Sequence, residues 1–415
     1  MKARELNRLS RDIFSYKSLS ENDNIKIKVN SNTISRDELI SMGRLATCEF
    51  FGKEANNDKN NIEKYITKLN NIDYSTFSHK TWEKTVLFCA AQANKMKGKA
   101  PYTTMAEVAQ DRSLARSEIF LATLAAIAEE VIYPLLPAVM DSITDRLISW
   151  ERGRLGETKL IDIQSNDFFV FDDDSWGSVS SKPYQYLYKS QIAITPKAYT
   201  AKCKIKWYQD VIDGEAGRFY AAFARGAASK MYAITLEKFK AAVGNTKYLP
   251  SEFIYDSFSQ DNWNKALMTM QAVNGVSRNQ LFAIGTLAGL SQIVPTIGTS
   301  GEIAGLQGEI GTEFARNGFL ANVAGVDLIE ASLAVVPGTQ NYNPQYISLD
   351  DPTQENVYIM AKIGYAPMVG VIADGSPIDI VFTPTETADM TINISETIIF
   401  DLAPAFSSKI VKMQV

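Results

Sequence analysis

The sequence predicts an α+β protein with its helices gathered early and its strands late. Three observations lead there. Apolar residues recur at a helical period from Thr103 to Trp150. From Lys159 the period changes to two. After one more helical stripe over Gly214–Val243, short strand-like runs follow one another to the C-terminus.

Within residues 1–100, rich in Asn, Lys and Ser, two helices are expected. Ser35–Phe51 opens with Ser35 as N-cap and Glu38 three residues later, the spacing of a capping box. Ser78–Lys97 is centred on Trp82, Val86 and Cys89. The polar stretch Lys53–Asn61 between them reads as a loop. In the next region Ser117–Val131 is alanine-rich, and Pro134 and Pro137 are expected to break or re-aim the chain before a helix over Ala138–Trp150. Gly153 and Gly156 mark a boundary.

Past it, Phe168–Phe171 reads as a strand and Asp172–Gly177 as a turn. Tyr184, Tyr186 and Tyr188 then alternate, followed by Ile192 and Ile194. This pattern predicts a long two-stranded ribbon. Such a ribbon is marginal in water by itself, so it needs a surface to lie on. Over Gly214–Val243, Phe219, Phe223, Ala227, Met231 and Ile234 form one stripe, with Arg218, Arg225 and Lys230 off it. At about 1.5 Å per residue this helix spans roughly 45 Å, and Gly244–Asn245 is its stop.

The remainder reads as mixed α/β. Trp263–Val273 is a short helix, Leu281–Ile284 a strand and Gly285–Val294 a helix or turn. The glycine-punctuated Gly298–Gly318 is a loop. Strands follow over Val326–Val336, Val357–Ile363, Met368–Ile372, Ile378–Phe382, Met390–Ile394 and Thr397–Leu402, before a final segment Lys409–Met413.

Composition narrows the function classes. The 415 residues are 46% hydrophobic and 21% charged, the ordinary globular range. Single cores stop growing at roughly 250–300 residues, so two or more packed units are expected. A net charge of −5 argues against a free-standing nucleic-acid binder, though not against a protein that encloses DNA without gripping it. Cys48, Cys89 and Cys203 are odd in number and without a CxxC, which argues for reduced thiols rather than a disulfide or zinc framework. Met1–Ser20 lacks the apolar core of a secretion signal, and Ile119–Ala128, the most apolar run, is too short to span a bilayer. A soluble protein made in the cytoplasm is the expectation.

Catalytic constellations are not legible. His79 is the one histidine and has no second imidazole to share a metal, so it reads as a cap or surface residue. There is no phosphate-cradling GxxxxGK[ST] and no GxSxG elbow. Gly305, Gly308 and Gly311 are spaced by three, unlike a dinucleotide fingerprint. Asp172, Asp173 and Asp174 do not alternate as calcium ligands do and read as a solvated turn. The alternating tyrosines suit a base-stacking platform or a protein-packing face. The modest basic density of Lys182, Lys189, Lys197, Lys202, Lys204 and Lys206 favours protein. No catalytic residue, metal site or cofactor is therefore expected.

The order of parts over roughly 159–415 resembles a known family. Its carriers are Ile194–Lys202 leading through Ile205 and Trp207 to Asp210 and Gly214, then Ala324–Ser332 before Val336–Pro337–Gly338, and the ending Thr397–Phe406. These are similar to the major capsid proteins of tailed double-stranded DNA bacteriophages, whose shared architecture is the HK97 fold. The resemblance implies a division of the chain. Residues 1–157 would form an N-terminal arm and helical region, either an extra helical unit or a scaffold-like segment. Residues 158–206 would be the E-loop ribbon and 207–250 the P-domain with its spine helix. Residues 251–375 would be the A-domain and 376–415 the returning P-domain strands. It places Phe169, Trp176, Tyr184, Tyr186, Tyr188 and Ile192 in the E-loop assembly interface, and Phe219, Phe223, Met231 and Ile234 on the spine helix.

The implied partners are copies of the chain in pentamers and hexamers, a portal, a scaffold or decoration protein, and packaged DNA bound without sequence specificity, with no membrane. The implied location is the virion capsid, after synthesis in the host bacterial cytoplasm. Competing readings are an encapsulin-like nanocompartment shell, a multidomain enzyme using paired carboxylates, and a ring-forming tail or connector protein.

Overall fold

The computed structural model describes residues 28–29, 32–33, 79–139, 142–154, 156–164, 188–213, 217–246, 248–294, 314, 316–336, 345–350, 355–361, 367–373, 378–384, 390–405 and 410–415. The expected helix Ser35–Phe51 and the loop Lys53–Asn61 lie outside them. So do the strand Phe168–Phe171, the acidic turn and most of Gly298–Gly318.

Two short strands, β1 (Lys28–Val29) and β2 (Asn32–Thr33), pair antiparallel. Helix α1 (His79–Met96) follows, then α2 (Met105–Gln110). Thr104 caps α2 by accepting the Glu107 N–H, and the Glu107 carboxylate accepts the Thr103 N–H in return. Helix α3 runs from Glu118 to Val139. The expected break at the prolines does not occur, because the helix is held by its neighbours. It buries Phe120, Leu121, Leu124 and Ile127, which outweighs the ladder bonds that proline lacks. The expected helix Ala138–Trp150 also resolves differently. Helix α4 covers only Ser142–Leu147, and Ile148–Gly153 is strand β3. The reason is tertiary, because Ile148 and Trp150 bury by pairing in parallel with a distant strand.

The ribbon strands are β4 (Lys159–Gln164) and β5 (Tyr188–Ile194). Strand β6 (Lys197–Lys206) leads through a π-helical turn, Trp207–Ile212, to the long helix α5 (Gly217–Val243). Then come β7 (Ile254–Tyr255), α6 (Gln260–Asn274), β8 (Leu281–Gly285) and α7 (Leu287–Ser291). Helix α6 is capped by the Ser259 hydroxyl and ends at Gly275, whose φ of 62° is left-handed. Strands β9 (Asn322–Val323), β10 (Val326–Glu330), β11 (Ala334–Val335) and β12 (Tyr346–Ile347) follow. The run Val326–Val336 is thus two strands, and they join different sheets. The last strands are β13 (Asn356–Ala361), β14 (Met368–Ala373), β15 (Ile378–Pro384), β16 (Thr391–Pro404) and β17 (Ile410–Gln414). The runs Met390–Ile394 and Thr397–Leu402 are one strand, because Ser395 and Glu396 between them stay paired to β6 and β15.

The architecture is α+β, as the sequence predicts. A five-stranded sheet contains β3, β6, β14, β15 and β16, and a six-stranded sheet has the order β7–β17–β13–β8–β10–β9. The six-stranded sheet is buried on both faces. Ala283, Val357, Ile359, Val411 and Met413 pack with Trp263, Leu267 and Met270 of α6. The alternate residues Phe282, Ile284, Tyr358, Met360 and Ile410 belong to the main core. That core also takes in α1, α3, α5 and the helix-side face of the five-stranded sheet. Phe239 of α5 meets Tyr358 edge-on at 5.2 Å, which ties the long helix to the six-stranded sheet. The Trp82 indole N–H donates to the Val211 carbonyl at 2.7 Å, and Phe120 meets Trp207 at 5.5 Å. Helices α1 and α3 and strand β3 therefore contribute to the core. The line drawn at residue 375 falls between β14 and β15, which share a sheet, and β17 lies in the six-stranded sheet.

One close approach holds β3 in place. Gly370 of β14 pairs with Trp150, and a Cβ there would stand 2.5 Å from the indole ring and 2.8 Å from Ile148 Cγ2. Gly370→Ala is expected to destabilise the subunit by about 1–3 kcal/mol through overpacking. Urea denaturation of the unassembled subunit measures this; an unchanged midpoint contradicts the packing described.

Candidate assembly surface

The ribbon is fastened at its root. Strands β4 and β5 pair antiparallel from Lys159↔Ile194 to Gln164↔Tyr188, with an irregularity between Ile163 and Gln164. Ile161 and Ile194 are buried against Val371, with Ile192, Val369 and Ala403 around them. Val371 lies on the face of the five-stranded sheet opposite the core, since its neighbour Ile372 belongs to the main core. Polar ties reinforce the root. The Lys159 ammonium pairs with Glu151 at 2.8 Å and donates to the Arg152 carbonyl at 2.6 Å. The Gln191 amide donates to Asp162 at 2.7 Å. On the other face Leu160 is 63% exposed.

The long helix carries a second surface. Phe223, Met231 and Ile234 are buried, with Ala227 on the same stripe, and Phe219 lies in its first turn. From Lys230 to Lys240, with Ile234 of the stripe included, α5 borders an open groove of about 880 Å³. Its other walls are β6 and the β11–β12 pair. Tyr232 fixes one wall by donating its hydroxyl to the Ser332 carbonyl at 2.7 Å. The groove is basic. Lys197 and Lys238 approach the Asp401 carboxylate at 3.8 and 3.9 Å. The Lys230 ammonium stands 4.9 Å over the Tyr199 ring, and Lys240 donates to the Asp350 carbonyl at 3.4 Å. Partial burial pulls the Lys230 pKa down, with Glu237 opposing. Leu333 and Tyr346 also line the groove and are 61% and 57% exposed.

The five-stranded sheet holds one strained charge. Glu396 is buried on the core-facing register of β16, between Ile394 and Ile398, and one of its carboxyl oxygens has no hydrogen-bond partner. Burial pushes its pKa up to about 8. Cys203 on neighbouring β6 is pushed up to about 11, by burial first and then by Glu396. Among the described residues no group of three or more His, Cys, Asp or Glu gathers as a metal site, and no helix is long and apolar enough to cross a membrane.

The sequence-predicted site residues divide by place. Phe169, Trp176, Tyr184 and Tyr186 lie outside the described residues, and Tyr188 is the first residue of β5. Ile192 packs at the ribbon root. Near the start of β6, Lys197 and Tyr199 line the same groove as Lys230 of α5. The groove itself was not read from the sequence. Lys230 is legible as off-stripe, but its neighbours in the groove come from distant segments, β6 and the β11–β12 pair.

No protein-family model matches the chain, and no curated protein does. Among solved structures the fold is similar mostly to phage capsids. The mature capsid of bacteriophage PhiM1 aligns at 12% identity and a TM-score of 0.43, over 65% of this chain and 86% of that one. The capsid of cyanophage P-SCSP1u aligns at 9% identity and 0.44, over 65% and 86%. The SrpI encapsulin of Synechococcus elongatus PCC 7942 aligns at 10% identity and 0.36, over 65% and 85%.

Glu396 makes stability depend on pH with a definite sign. Its folded pKa is raised, so the folded state holds the proton more tightly than the unfolded chain does. The penalty is absent below the ordinary carboxylate value, grows as pH rises towards about 8, and is full above it. Denaturation of the unassembled subunit should show stability falling from pH 5 to pH 9. Glu396→Gln should flatten that slope and add on the order of a few kcal/mol at pH 9. A profile that Gln leaves unchanged refutes the assignment.

Proposed function

We propose that this chain is a shell subunit, the major capsid protein of a tailed phage, which assembles into pentamers and hexamers of an icosahedral particle around double-stranded DNA. The observation that carries this reading is the ribbon. Its root is sealed to the five-stranded sheet by Ile161, Ile194 and Val371, while 23 residues, 165–187, connect its two strands. Their sequence is rich in aromatics: Phe168, Phe169, Phe171, Trp176, Tyr184 and Tyr186. A two-stranded root joined by a connection of that composition is stabilised when a second surface covers it, and a neighbouring copy supplies one.

The long helix supports the reading as a rigid spine. It packs against α3, the five-stranded sheet and the six-stranded sheet at once, so a load on the ribbon root passes into the whole core. Each contact between copies can be weak, because a subunit makes several and closure multiplies them. The acidic balance suits an inner wall that contains DNA without gripping it. Portal, scaffold and decoration proteins are the further partners of such a shell, and the virion is its location, after synthesis in the host cytoplasm. The chain performs no catalysis in this role.

The purified chain is expected to form large closed particles, seen by negative-stain microscopy and light scattering. A compact monomer that persists across salt and concentration overturns the reading. Particles that carry an enzyme cargo in place of DNA would make it a nanocompartment shell. Replacing residues 166–186 by an Asn–Gly turn keeps the paired roots of β4 and β5. That variant is expected to keep the thermal transition of the unassembled subunit and to form no closed particles.

A further inference from the structure

Strand β6 presents a face that the shell reading leaves without an occupant. Its inward residues Tyr199, Cys203 and Ile205 pack with the main core. The alternate residues Thr200, Lys202, Lys204 and Lys206 therefore stand on the opposite face, and all four are exposed. Register continues this face across the sheet. Thr397, Ser395, Asn393 and Thr391 of β16 lie opposite those four in turn, and the Thr200 and Thr397 hydroxyls bond at 2.9 Å. Asp379, Val381 and Thr383 of β15 complete the rungs. At the other end of the same face, Val369, Val371 and Ala403 pack with the ribbon root. The face thus has an apolar half that the chain itself covers and an exposed polar half carrying a row of lysines.

The row has the chemistry of a phosphate contact. Lys202, Lys204 and Lys206 recur every second residue, about 6.6 Å apart at about 3.3 Å per residue. Among the described residues no carboxylate stands within ion-pair distance of them. Asp379 shares the face but is two strands away, about 10 Å across the sheet. Asp210 lies beyond the end of β6, where it accepts the Lys206 backbone N–H at 2.6 Å. The threonine, serine and asparagine side chains beside the row are ordinary partners of phosphate oxygens. Duplex DNA carries one charge per about 1.7 Å of its axis, so each ammonium can meet a different phosphate. No aromatic side chain stands on these rungs to stack a base, and a flat sheet face does not enter a groove to read base edges. A protein partner is held by large apolar anchors, and Val381 is the only apolar residue on the rungs. The occupant that fits is the outside of a duplex.

We propose that the row Lys202, Lys204 and Lys206 is where this subunit touches the phosphate backbone of the DNA that the shell encloses. This rests on the shell reading, and it adds the wall residues and the kind of contact. Three ammoniums per chain give a weak contact that carries no sequence information. The acidic balance of the chain keeps the rest of the surface from adding to it. Closure repeats the row on every copy, so a packaged duplex meets many such contacts, none of which fixes its register.

Fluorescence anisotropy of a short labelled duplex of mixed sequence tests it with the full chain, unassembled. Binding is expected at low salt, with log K falling against log salt at a slope of about −2.7, the value for three phosphates at about 0.9 each. Lys202→Gln, Lys204→Gln and Lys206→Gln together should weaken binding roughly tenfold or more and flatten the slope. The three positions are exposed, and circular dichroism confirms folding. Lys95→Gln, Lys97→Gln and Lys99→Gln remove the same charge from another exposed stretch and should leave binding unchanged. The proposal is overturned if the two sets weaken binding equally, or if the β6 set leaves it unchanged. It is overturned too if a single strand or polyglutamate of matched charge binds more tightly than the duplex. Location has its own arm. Closed particles should not bind a long duplex added from outside. Particles that bind it through the row, as the free subunit does, put the row on the outer wall and overturn the proposal. Binding through the row by a chain that forms no particles would sink the shell reading and leave the phosphate contact standing. Closed particles built from a chain whose DNA binding ignores the β6 set would do the opposite.

Discussion

Strand β16 is the member on which the other layers depend. It runs for 14 residues and pairs with β6, β15 and β14. Through β6 it positions the entry to the spine helix, and through β14 it holds β3, which ends the N-terminal helices. Its inward residues Ile392, Ile394, Ile398, Phe400 and Leu402 are buried in the main core. A strand with partners along most of its length has few ways to slip, because a one-residue shift would turn this row to the opposite face.

Helix α5 packs against both sheets. A helix spanning roughly 40 Å at about 1.5 Å per residue would bend if only one face were supported. Here Phe223, Met231, Leu236 and Phe239 are buried along it, and Phe239 reaches Tyr358 in the six-stranded sheet. Helices α1 and α3 close the core, with Trp82 tied to the turn that precedes the spine. Helices α1 and α3 therefore support α5 and the sheet behind it.

Two buried carboxyl groups on β16 have different partners. Asp401 gathers Lys197 from β6 and Lys238 from the spine, so one carboxylate links the root of the ribbon to the helix. Glu396, five residues away on the same strand, is buried and rises in pKa. Burial in an apolar layer disfavours the charged form of a carboxyl group, and that is the cause of the rise at Glu396.

The sequence by itself determined the local periods. The isoleucine alternation at Ile192 and Ile194 matches strand β5, paired with β4, and the helical period over Gly214–Val243 matches α5, whose Phe223, Met231 and Ile234 are buried. A period is written in neighbouring residues, so it is legible without a fold. What only the tertiary structure decided was everything that depends on distant partners. Ile148–Trp150 is a strand because Met368–Gly370 lies beside it, and α3 runs through Pro134 and Pro137 because its buried face holds it. The lysine groove is assembled from β6, α5 and the β11–β12 pair, whose separation along the chain hides it from any local pattern. Long-range pairing and side-chain convergence belong to three-dimensional proximity, and the order of residues along one segment does not record them.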